Sequence, residues 1–423
     1  MVVFNIIGFL VTLLNVLTFL ALRRRIKLAF PRHSGWATLG VGIPFWIMLH
    51  PGLFLMFGGI SGLMAIRDDS PIWFGIAAMA CQFAAWVYGG GLLIKGAPGA
   101  LLDGGRRLRR VLRREKAGSP AEQRLVDEGR RRMLAKAALT VPAAIVATAA
   151  GGALASRVVP RVTRLQLPVR RELTQLHGMT IAQVSDVHVG SYMGWDRLAE
   201  ILGVMNSTNA DWFVITGDLI DNDVAQLELA QRFINGMKPK RQTFMSMGNH
   251  EYIAARTGDT QGIVAALKDT KATLLIDEAE KLNVGGAHLW LGAIDHPPQM
   301  TLPRLHDRST EESLQQVLAN VHDDGAPRIL LSHHPRTFNV IREHPVDLTL
   351  SGHTHGGQIK LGRIGDYALT PVLPFEHYHN GFYEHNGRRL YVNAGAGGWM
   401  PVRINCPPEI TLVELVPAQA TNA

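Results

Sequence analysis

The stretch DWFVITGDLID, residues 211–221, passes from an apolar segment directly into a cluster of glycine and acidic residues. An apolar, β-branched run of this length is typical of a short buried strand, and the polar cluster is typical of the loop after it. The same pattern recurs in four other stretches, which are MTIAQVSDVH (179–188), QTFMSMGNHE (242–251), PRILLSHHP (327–335) and DLTLSGHTH (347–355).

Helical periodicity appears between these predicted strands, at residues 195–206, 224–237 and 262–268. Strands that alternate with helices are typical of an α/β domain, in which ligands bind beyond the strand ends. The sequence therefore predicts an α/β domain from about residue 178, with its site where the apolar runs stop.

The polar side chains at these strand ends are carboxylates, imidazoles and one amide. They are Asp186, His188, Asp218, Asp221, Asn249, His250, Glu251, His333, His334, His353 and His355. Each one alone has an ordinary alternative, such as a turn, a cap or a surface histidine. Five strand ends that all carry oxygen and imidazole donors, without a thiolate, instead predict a site for Mn, Fe or Zn.

The number of these donors predicts two metal ions. Four histidines, two aspartates and one asparagine exceed what one ion needs, and two ions about 3.5–4 Å apart would need one shared carboxylate. Within this set, His353 and His355 are two residues apart after an apolar run. A strand period of two predicts that both side chains face the ions and that Thr354 faces away in a structural role.

The first 156 residues have a different composition. Four runs lack Asp, Glu, Lys and Arg, and they cover residues 1–22, 34–66, 71–94 and 137–156. An apolar run of about 20 residues is long enough to cross a bilayer, so the pattern predicts about four transmembrane helices. The run 34–66 is too long for one straight span and leaves open whether it crosses once or twice.

Basic residues beside the runs predict the orientation. Residues 95–136 contain 13 Lys/Arg and 5 Asp/Glu. Positive loops stay in the cytoplasm, which puts the domain after residue 156 on the extracytoplasmic side of a bacterial plasma membrane if there are four spans. A second crossing by 34–66 would reverse this.

The net charge does not indicate nucleic-acid binding. The whole chain has 43 Lys+Arg and 35 Asp+Glu, a formal charge of +8, and the loop 95–136 accounts for that excess. This loop lacks interleaved aromatic residues, so we expect it to contact anionic membrane lipids and expect no nucleic-acid partner. The two cysteines exclude a disulfide framework, and the sequence leaves the oligomeric state open.

The ordered motifs DVH, GDLID, GNHE, SHH and GHTH resemble those of the calcineurin-like metallophosphoesterases, over residues 178–415. The form GHTHGGQ after an N-terminal membrane region is similar to the branch of membrane-associated bacterial phosphodiesterases and animal transmembrane metallophosphoesterases. The resemblance implies an α/β/β/α sandwich of two packed β-sheets flanked by helices. We expect an all-α membrane region at 1–156 before it, a linker at 157–177 and a C-terminal tail at 416–423.

The resemblance also implies a role for each site residue. One ion would be bound by Asp186, His188 and His355. The other would be bound by Asn249, His333 and His353. Asp218 would bridge the two ions, and His250 would be the catalytic residue that stabilises or protonates the leaving oxygen. Supporting positions around the ligands are implied for Asp221, Glu251 and His334.

These roles imply a metal-dependent phosphodiesterase that uses two divalent ions and a metal-activated hydroxide on a phosphodiester or pyrophosphate bond. A tether near the bilayer makes a lipid-linked substrate, such as UDP-2,3-diacylglucosamine or a phospholipid, a candidate. A phosphomonoesterase or protein phosphatase would use the same centre. A non-enzymatic membrane sensor and a transporter built from residues 1–156 are the alternatives from other classes.

Overall fold

The computed structural model describes residues 158–419, except 191, 257–258, 296–307, 361, 365–366, 371, 374–375 and 399–402, together with scattered residues between 12 and 27. The chain divides into two compact units, Met1–Gly152 and Ala153–Ala423. The predicted membrane runs and the basic loop lie outside the described residues, apart from a few positions between 12 and 20. Across the described positions, no helix combines the length and the apolar character that a membrane span requires.

The second unit contains a six-stranded mixed sheet. Its strands, in spatial order, are β1 (Arg161–Val169), β14 (Glu409–Pro417), β2 (Thr180–Val184), β3 (Trp212–Thr216), β4 (Gln242–Ser246) and β5 (Ala272–Leu274). Strands β2 to β5 are parallel, and β14 is antiparallel to β2.

A second six-stranded mixed sheet follows in the same unit. Its spatial order is β12 (Gly381–His385), β13 (Arg388–Val392), β9 (Leu348–Ser351), β8 (Arg328–Leu331), β7 (Ala287–Ala293) and β6 (Glu278–Val284). The four strands from β13 to β7 are parallel, and both outer strands pair antiparallel. A short hairpin is formed by β10 (Arg363–Ile364) and β11 (Tyr367–Ala368).

Helices connect the strands. They are α1 (Trp195–Ser207), α2 (Leu227–Asn235), α3 (Asn249–Ala254), α4 (Thr260–Lys268), α5 (Thr310–Ala319) and α6 (Phe338–Ile341). Single 3-10 turns occur at Thr174–Leu176, Val224–Gln226, Pro335–Thr337 and His355–Gly357.

The side chains of β3 show how the layers are built. All five of its residues are buried, as expected for a central parallel strand that is covered on both faces. Trp212 and Val214 join an apolar cluster that contains residues of both sheets. Phe213 and Ile215 face the other way and pack in a cluster with residues of α1, α2 and α4. The first sheet therefore lies between the second sheet and these helices.

The second sheet is covered on its outer face as well. Leu330 of β8 packs in a third cluster with Leu314 and Val317 of α5 and with Phe338 of α6. The predicted architecture of two packed sheets flanked by helices is confirmed. The segment expected as a linker differs, because it contains β1, which pairs in parallel register with β14 along its full length.

Candidate metal centre

The site lies beyond the carboxyl ends of parallel strands from both sheets. In the first sheet, β2, β3 and β4 lead to Asp186, Asp218 and Asn249, and in the second sheet β8 and β9 lead to His333 and His353. Backbone hydrogen bonds join the loops that follow neighbouring strands. In one of them, the Asp186 N–H donates to the Gly217 carbonyl at 3.2 Å. All eleven side chains predicted for the site lie in this region of the fold.

The first predicted ligand set is Asp186, His188 and His355. The Nε2 atoms of His188 and His355 are 2.9 Å apart, and His355 Nε2 is 3.4 Å from Asp186 Oδ1. All three residues are buried. Buried donors that converge in this way fit one ion among them.

The second set is Asn249, His333 and His353. Asn249 Oδ1 is 2.8 Å from His353 Nδ1 and 3.2 Å from His333 Nε2, and the two imidazole nitrogens are 3.3 Å apart. His333 Nδ1 donates a hydrogen bond to the Thr216 carbonyl at 2.7 Å. That bond fixes the tautomer and leaves Nε2 as the ligand atom.

Asp218 lies between the two sets. Its Oδ2 is 3.1 Å from His333 Nε2 in the second set and 3.7 Å from His188 Nε2 in the first. The residue is 1% exposed. One carboxylate within reach of both sets is what a bridging ligand requires.

The donor spacing tests whether ions fit. Metal–ligand bonds of about 2.1 Å at tetrahedral or octahedral angles place neighbouring donors roughly 3.0–3.4 Å apart. Within the two sets the spacings run from 2.8 to 3.4 Å, so the residues present fit first-row divalent ions. A third group, His188, Asp221 and His250, also brings one donor atom from each residue within 4.8 Å of the others.

The backbone at the ligands is unusual. Asp186, His188, Asp218, His353 and His355 all have positive φ, between 51° and 71°. Left-handed conformations cost free energy for residues with a Cβ and are concentrated at functional sites. The arrangement is consistent with loops that are shaped for ligand geometry rather than for local stability.

The strand-period explanation for His353 and His355 is wrong. Strand β9 ends at Ser351, before either histidine, and both histidines have positive φ. Their side chains reach different ligand sets because a tight turn carries them, whereas a strand would place them side by side. Thr354 does have the expected structural role, since its hydroxyl donates to the His379 carbonyl at 2.6 Å.

Glu251 supports the loop that contains Asp218. Its carboxylate accepts backbone hydrogen bonds from Asp218, Leu219, Ile220 and Gly248, at 2.7–3.2 Å. The carboxylate is buried, and burial raises its pKa. Glu251 thus ties the end of β3 to the start of α3.

Asp221 and His250 are hydrogen-bonded to each other beside the first ligand set. His250 Nδ1 donates to the Asp221 carbonyl, and the Asp221 carboxylate lies 3.4 Å from His188 Nδ1. The His250 ring meets the His188 ring edge-on, with centroids 4.4 Å apart. His250 therefore lies against the first ligand set with its Nδ1 already used, which leaves Nε2 as its reactive nitrogen.

His334 lies beside the second set. Its ring stacks on the His353 ring at a centroid distance of 4.2 Å, and its Nδ1 accepts a hydrogen bond from Arg336 N–H. The stack restricts how the His353 ring can turn. His334 therefore lies next to a predicted ligand, where a supporting position was expected.

Neighbouring charges and burial give the histidines of the site very different pKa values. Burial lowers the pKa of His333, but the adjacent Asp218 carboxylate outweighs it and raises that pKa to about 10. Burial would raise the pKa of Asp218, yet His333 and other histidines hold it well below its usual range. Burial and the charge of His333 lower the pKa of His353 to about 3. Metal loading would therefore displace a proton from His333 Nε2.

Sequence reasoning missed a sixth segment, NAGAGG at residues 393–398. Its backbone contacts the ligand loop, with Gly397 N–H bonded to the Asp186 carbonyl at 3.0 Å. The buried guanidinium of Arg403 donates to the carbonyls of Ala394, Gly395 and Gly397 at 2.6–3.1 Å. The available signal was a glycine-rich cluster after an apolar run, but it contains no metal-binding side chain except one asparagine.

Two ligand sets that share a carboxylate define a candidate dinuclear metallohydrolase centre. The family model for calcineurin-like phosphoesterase matches residues 179–357. A Bacillus subtilis relative, named an uncharacterized metallophosphoesterase, is 30% identical over 249 residues, which are 56% of this chain and 79% of the relative. The chain belongs to the calcineurin-like phosphoesterase family.

Two further relatives have more specific names. A Danio rerio "transmembrane protein with metallophosphoesterase domain" is 29% identical over 266 residues, 60% of this chain and 57% of that protein. The Chlamydia muridarum "UDP-2,3-diacylglucosamine pyrophosphatase LpxG" is 26% identical over 292 residues, 60% of this chain and 88% of that protein. The chain spans about 60% of the length of other curated relatives that it matches.

Proposed function

We propose that this chain is a membrane-anchored phosphodiesterase that hydrolyses a phosphodiester or pyrophosphate bond with two divalent ions bound. The observation that carries the proposal is the Asp218 carboxylate, which lies between the two ligand sets. We assign residues 1–156 to the membrane anchor and 178–415 to the catalytic domain.

The protein's own groups have distinct parts in this reaction. The bound ions would neutralise the anionic phosphate oxygens and lower the pKa of a coordinated water toward about 7. Asp218 holds the two ligand sets in one geometry. Asn249 offers its amide oxygen as a ligand at the start of α3, next to His250.

His250 is assigned as the proton donor to the leaving oxygen. Burial lowers its pKa, but the Asp218 charge and the hydrogen bond to Asp221 raise it to about 9. A protonated Nε2 can donate to an oxygen that gains charge as the bond breaks, while Nδ1 keeps the ring oriented on Asp221.

The substrate is proposed to be lipid-linked and to meet the domain on the extracytoplasmic side. Two observations support this. The apolar runs before residue 157 predict an anchor that keeps the domain close to the bilayer, and one relative is named as a pyrophosphatase of UDP-2,3-diacylglucosamine. The predicted orientation follows from the basic loop 95–136.

Hydrolysis of bis(p-nitrophenyl) phosphate by the full-length protein, with Mn²⁺, Zn²⁺ or Fe²⁺ added, tests the proposal. Asp218→Asn should reduce the rate at least about 100-fold, because it weakens the ligand that serves both sets. Asp269→Asn, at an exposed position after α4, is the matched control. A folded wild-type protein that is inactive with all three metals would refute the proposal, and faster cleavage of p-nitrophenyl phosphate would indicate a monoesterase.

His250→Ala should slow turnover about 10²- to 10⁴-fold, because it removes a general acid. Its metal content, measured by mass spectrometry, should equal that of the wild type, since His250 is not assigned as a ligand. His322→Ala at an exposed position is the control. Loss of metal from His250→Ala would instead make it a ligand, as its proximity to His188 and Asp221 allows.

A further inference from the structure

A cavity of about 810 Å³ lies beside the turn that carries His355. Asn380, one of its lining residues, packs against Gly356, where an added Cβ would be 3.4 Å from the Asn380 side chain. The carbonyl of another lining residue, His379, accepts the hydrogen bond from Thr354. The cavity wall is thus bonded to the segment between the last two metal ligands, and its volume is in the range of small-molecule sites.

The polar lining favours an anion. It includes Lys360, His377, His379, Asn380 and Asn405, and none of the described residues that line the cavity is Asp or Glu. The Lys360 ammonium donates one hydrogen bond to Asn380 Oδ1. An ammonium has three donors, so a ligand oxygen can take another.

The wall is held in place by its own hydrogen bonds. Lys360 N–H donates to the Ile404 carbonyl at 2.9 Å, and Asn405 Nδ2 donates to the Lys360 carbonyl at 3.1 Å. The Tyr383 hydroxyl accepts from the N–H groups of His379 and Asn380 at 3.1 and 3.4 Å. These bonds fix the backbone at Lys360, His379 and Asn380 before a ligand arrives, which reduces the entropy that binding would cost.

An exposed aromatic ring completes the cavity. Phe382 on β12 lines the cavity and is 51% exposed. Among the residues that the structure describes, it is the only aromatic residue in the set of exposed large hydrophobic residues. An exposed phenyl ring beside donors for an anion can stack on the ring of a sugar or a nucleobase.

We propose that this cavity binds the non-reacting side of the substrate, as a phosphorylated sugar or nucleoside whose anionic group meets Lys360 and whose ring packs on Phe382. This inference rests on the proposed function and names its substrate class. The cavity would select the substrate, while the metal centre cleaves the bond.

Binding to the metal-free protein tests the cavity separately from hydrolysis. Full-length protein in EDTA is titrated by calorimetry with inorganic phosphate, glucose 1-phosphate and uridine 5′-monophosphate. At least one ring-bearing phosphate should bind about tenfold more tightly than inorganic phosphate. Lys360→Gln should weaken its binding about tenfold, and Phe382→Ala should remove the preference over inorganic phosphate.

Lys238→Gln, at an exposed lysine in the loop after α2, is the matched control and should bind like the wild type. Absence of binding to the wild type, or equal weakening by the control, would overturn the inference. With metal restored, Lys238→Gln should keep the wild-type rate on bis(p-nitrophenyl) phosphate, because Lys238 lies outside both the cavity and the metal centre. An inactive wild type would refute the proposed hydrolysis and leave the binding result standing.

Discussion

Asp218 is the residue that lies close to both predicted ligand sets. Its Oδ2 approaches His333 and His188, and its Oδ1 accepts the N–H of His250 at 2.9 Å. Its carboxylate stays ionised because the histidines around it hold its pKa well below the usual range. A single side chain therefore supplies negative charge to both sets and orients the start of α3.

His353→Ala and His355→Ala should each remove a different metal ion. His353 contacts Asn249 and His333, whereas His355 contacts His188 and Asp186. Removal of one ligand from a set of three or four should lower the affinity for that ion and leave the other set complete. Metal analysis of both variants should give about one ion per chain, and spectra with Co²⁺ should differ between them.

The same analysis of His344→Ala gives the background, because His344 pairs with Glu311, outside both ligand sets. If both variants lost both ions, the two sets would be a single cooperative unit. If either variant kept two metal ions, the histidine that it lacks would not be a ligand.

At the scale of elements, the centre depends on close contact between strand ends. The loop after β3 and the loop after β4 meet at Asp218 and Gly248, and Glu251 holds both through backbone hydrogen bonds. A Cβ on Gly248 would be 2.3 Å from Asp218 Oδ1 and 2.5 Å from the Asp218 nitrogen. Only glycine permits this approach without a shift of the bridging carboxylate.

Gly248→Ala should therefore lower the metal content and the rate of hydrolysis, each by about tenfold or more. The control is Gly203→Ala in α1, where an added Cβ meets nothing within 4 Å. That control should stabilise the protein by roughly 0.5–1 kcal/mol, since alanine favours a helix over glycine. Full metal content in Gly248→Ala would show that the two loops can separate without damage.

Asp324, in the turn before β8, should make the stability of the domain depend on pH. Burial raises the pKa of Asp324, but hydrogen bonds from the Ala326 N–H, His288 and Trp290 outweigh it and lower the pKa to about 2. Because the pKa of this carboxylate is lower in the folded state, it stabilises the protein at every pH above its unfolded-state pKa of about 4. This contribution is lost as the pH falls from about 4 through about 2.

Asp324→Asn should destabilise the domain by about 1 kcal/mol at pH 7, a figure reduced for the partial exposure of the carboxylate. Thermal unfolding of wild type and variant should converge between pH 4 and pH 2. Asp269→Asn, at the exposed position after α4, is the control. A constant difference from pH 7 to pH 2 would contradict the assignment.

At the scale of the whole molecule, the side of the membrane on which the domain is proposed to lie would decide which substrates reach the centre. With four spans, the basic loop 95–136 stays in the cytoplasm and the domain lies outside. Protease added to sealed spheroplasts should then cleave the domain without lysis, while a cytoplasmic marker stays intact. Cleavage only after lysis would place the domain inside, as expected if residues 34–66 cross twice.

Much of the centre was predictable from the sequence because each motif joins a buried strand to its polar loop locally. The run WFVIT before Gly217 and Asp218 gives a buried strand and the loop that begins at its end. The ordered motifs then gave the family and the residue types of the ligands. The NAGAGG loop was missed because it acts through backbone groups, which every sequence contains.

The sequence alone determined the α/β pattern, the donor chemistry and the family, since these depend on local periodicity and residue type. The tertiary structure decided how close the predicted donors lie to one another, because the distances among the ends of β2, β3, β4, β8 and β9 arise only when two sheets pack. It also decided how His353 and His355 diverge, since positive φ values in a turn follow from long-range contacts and leave no period in the sequence.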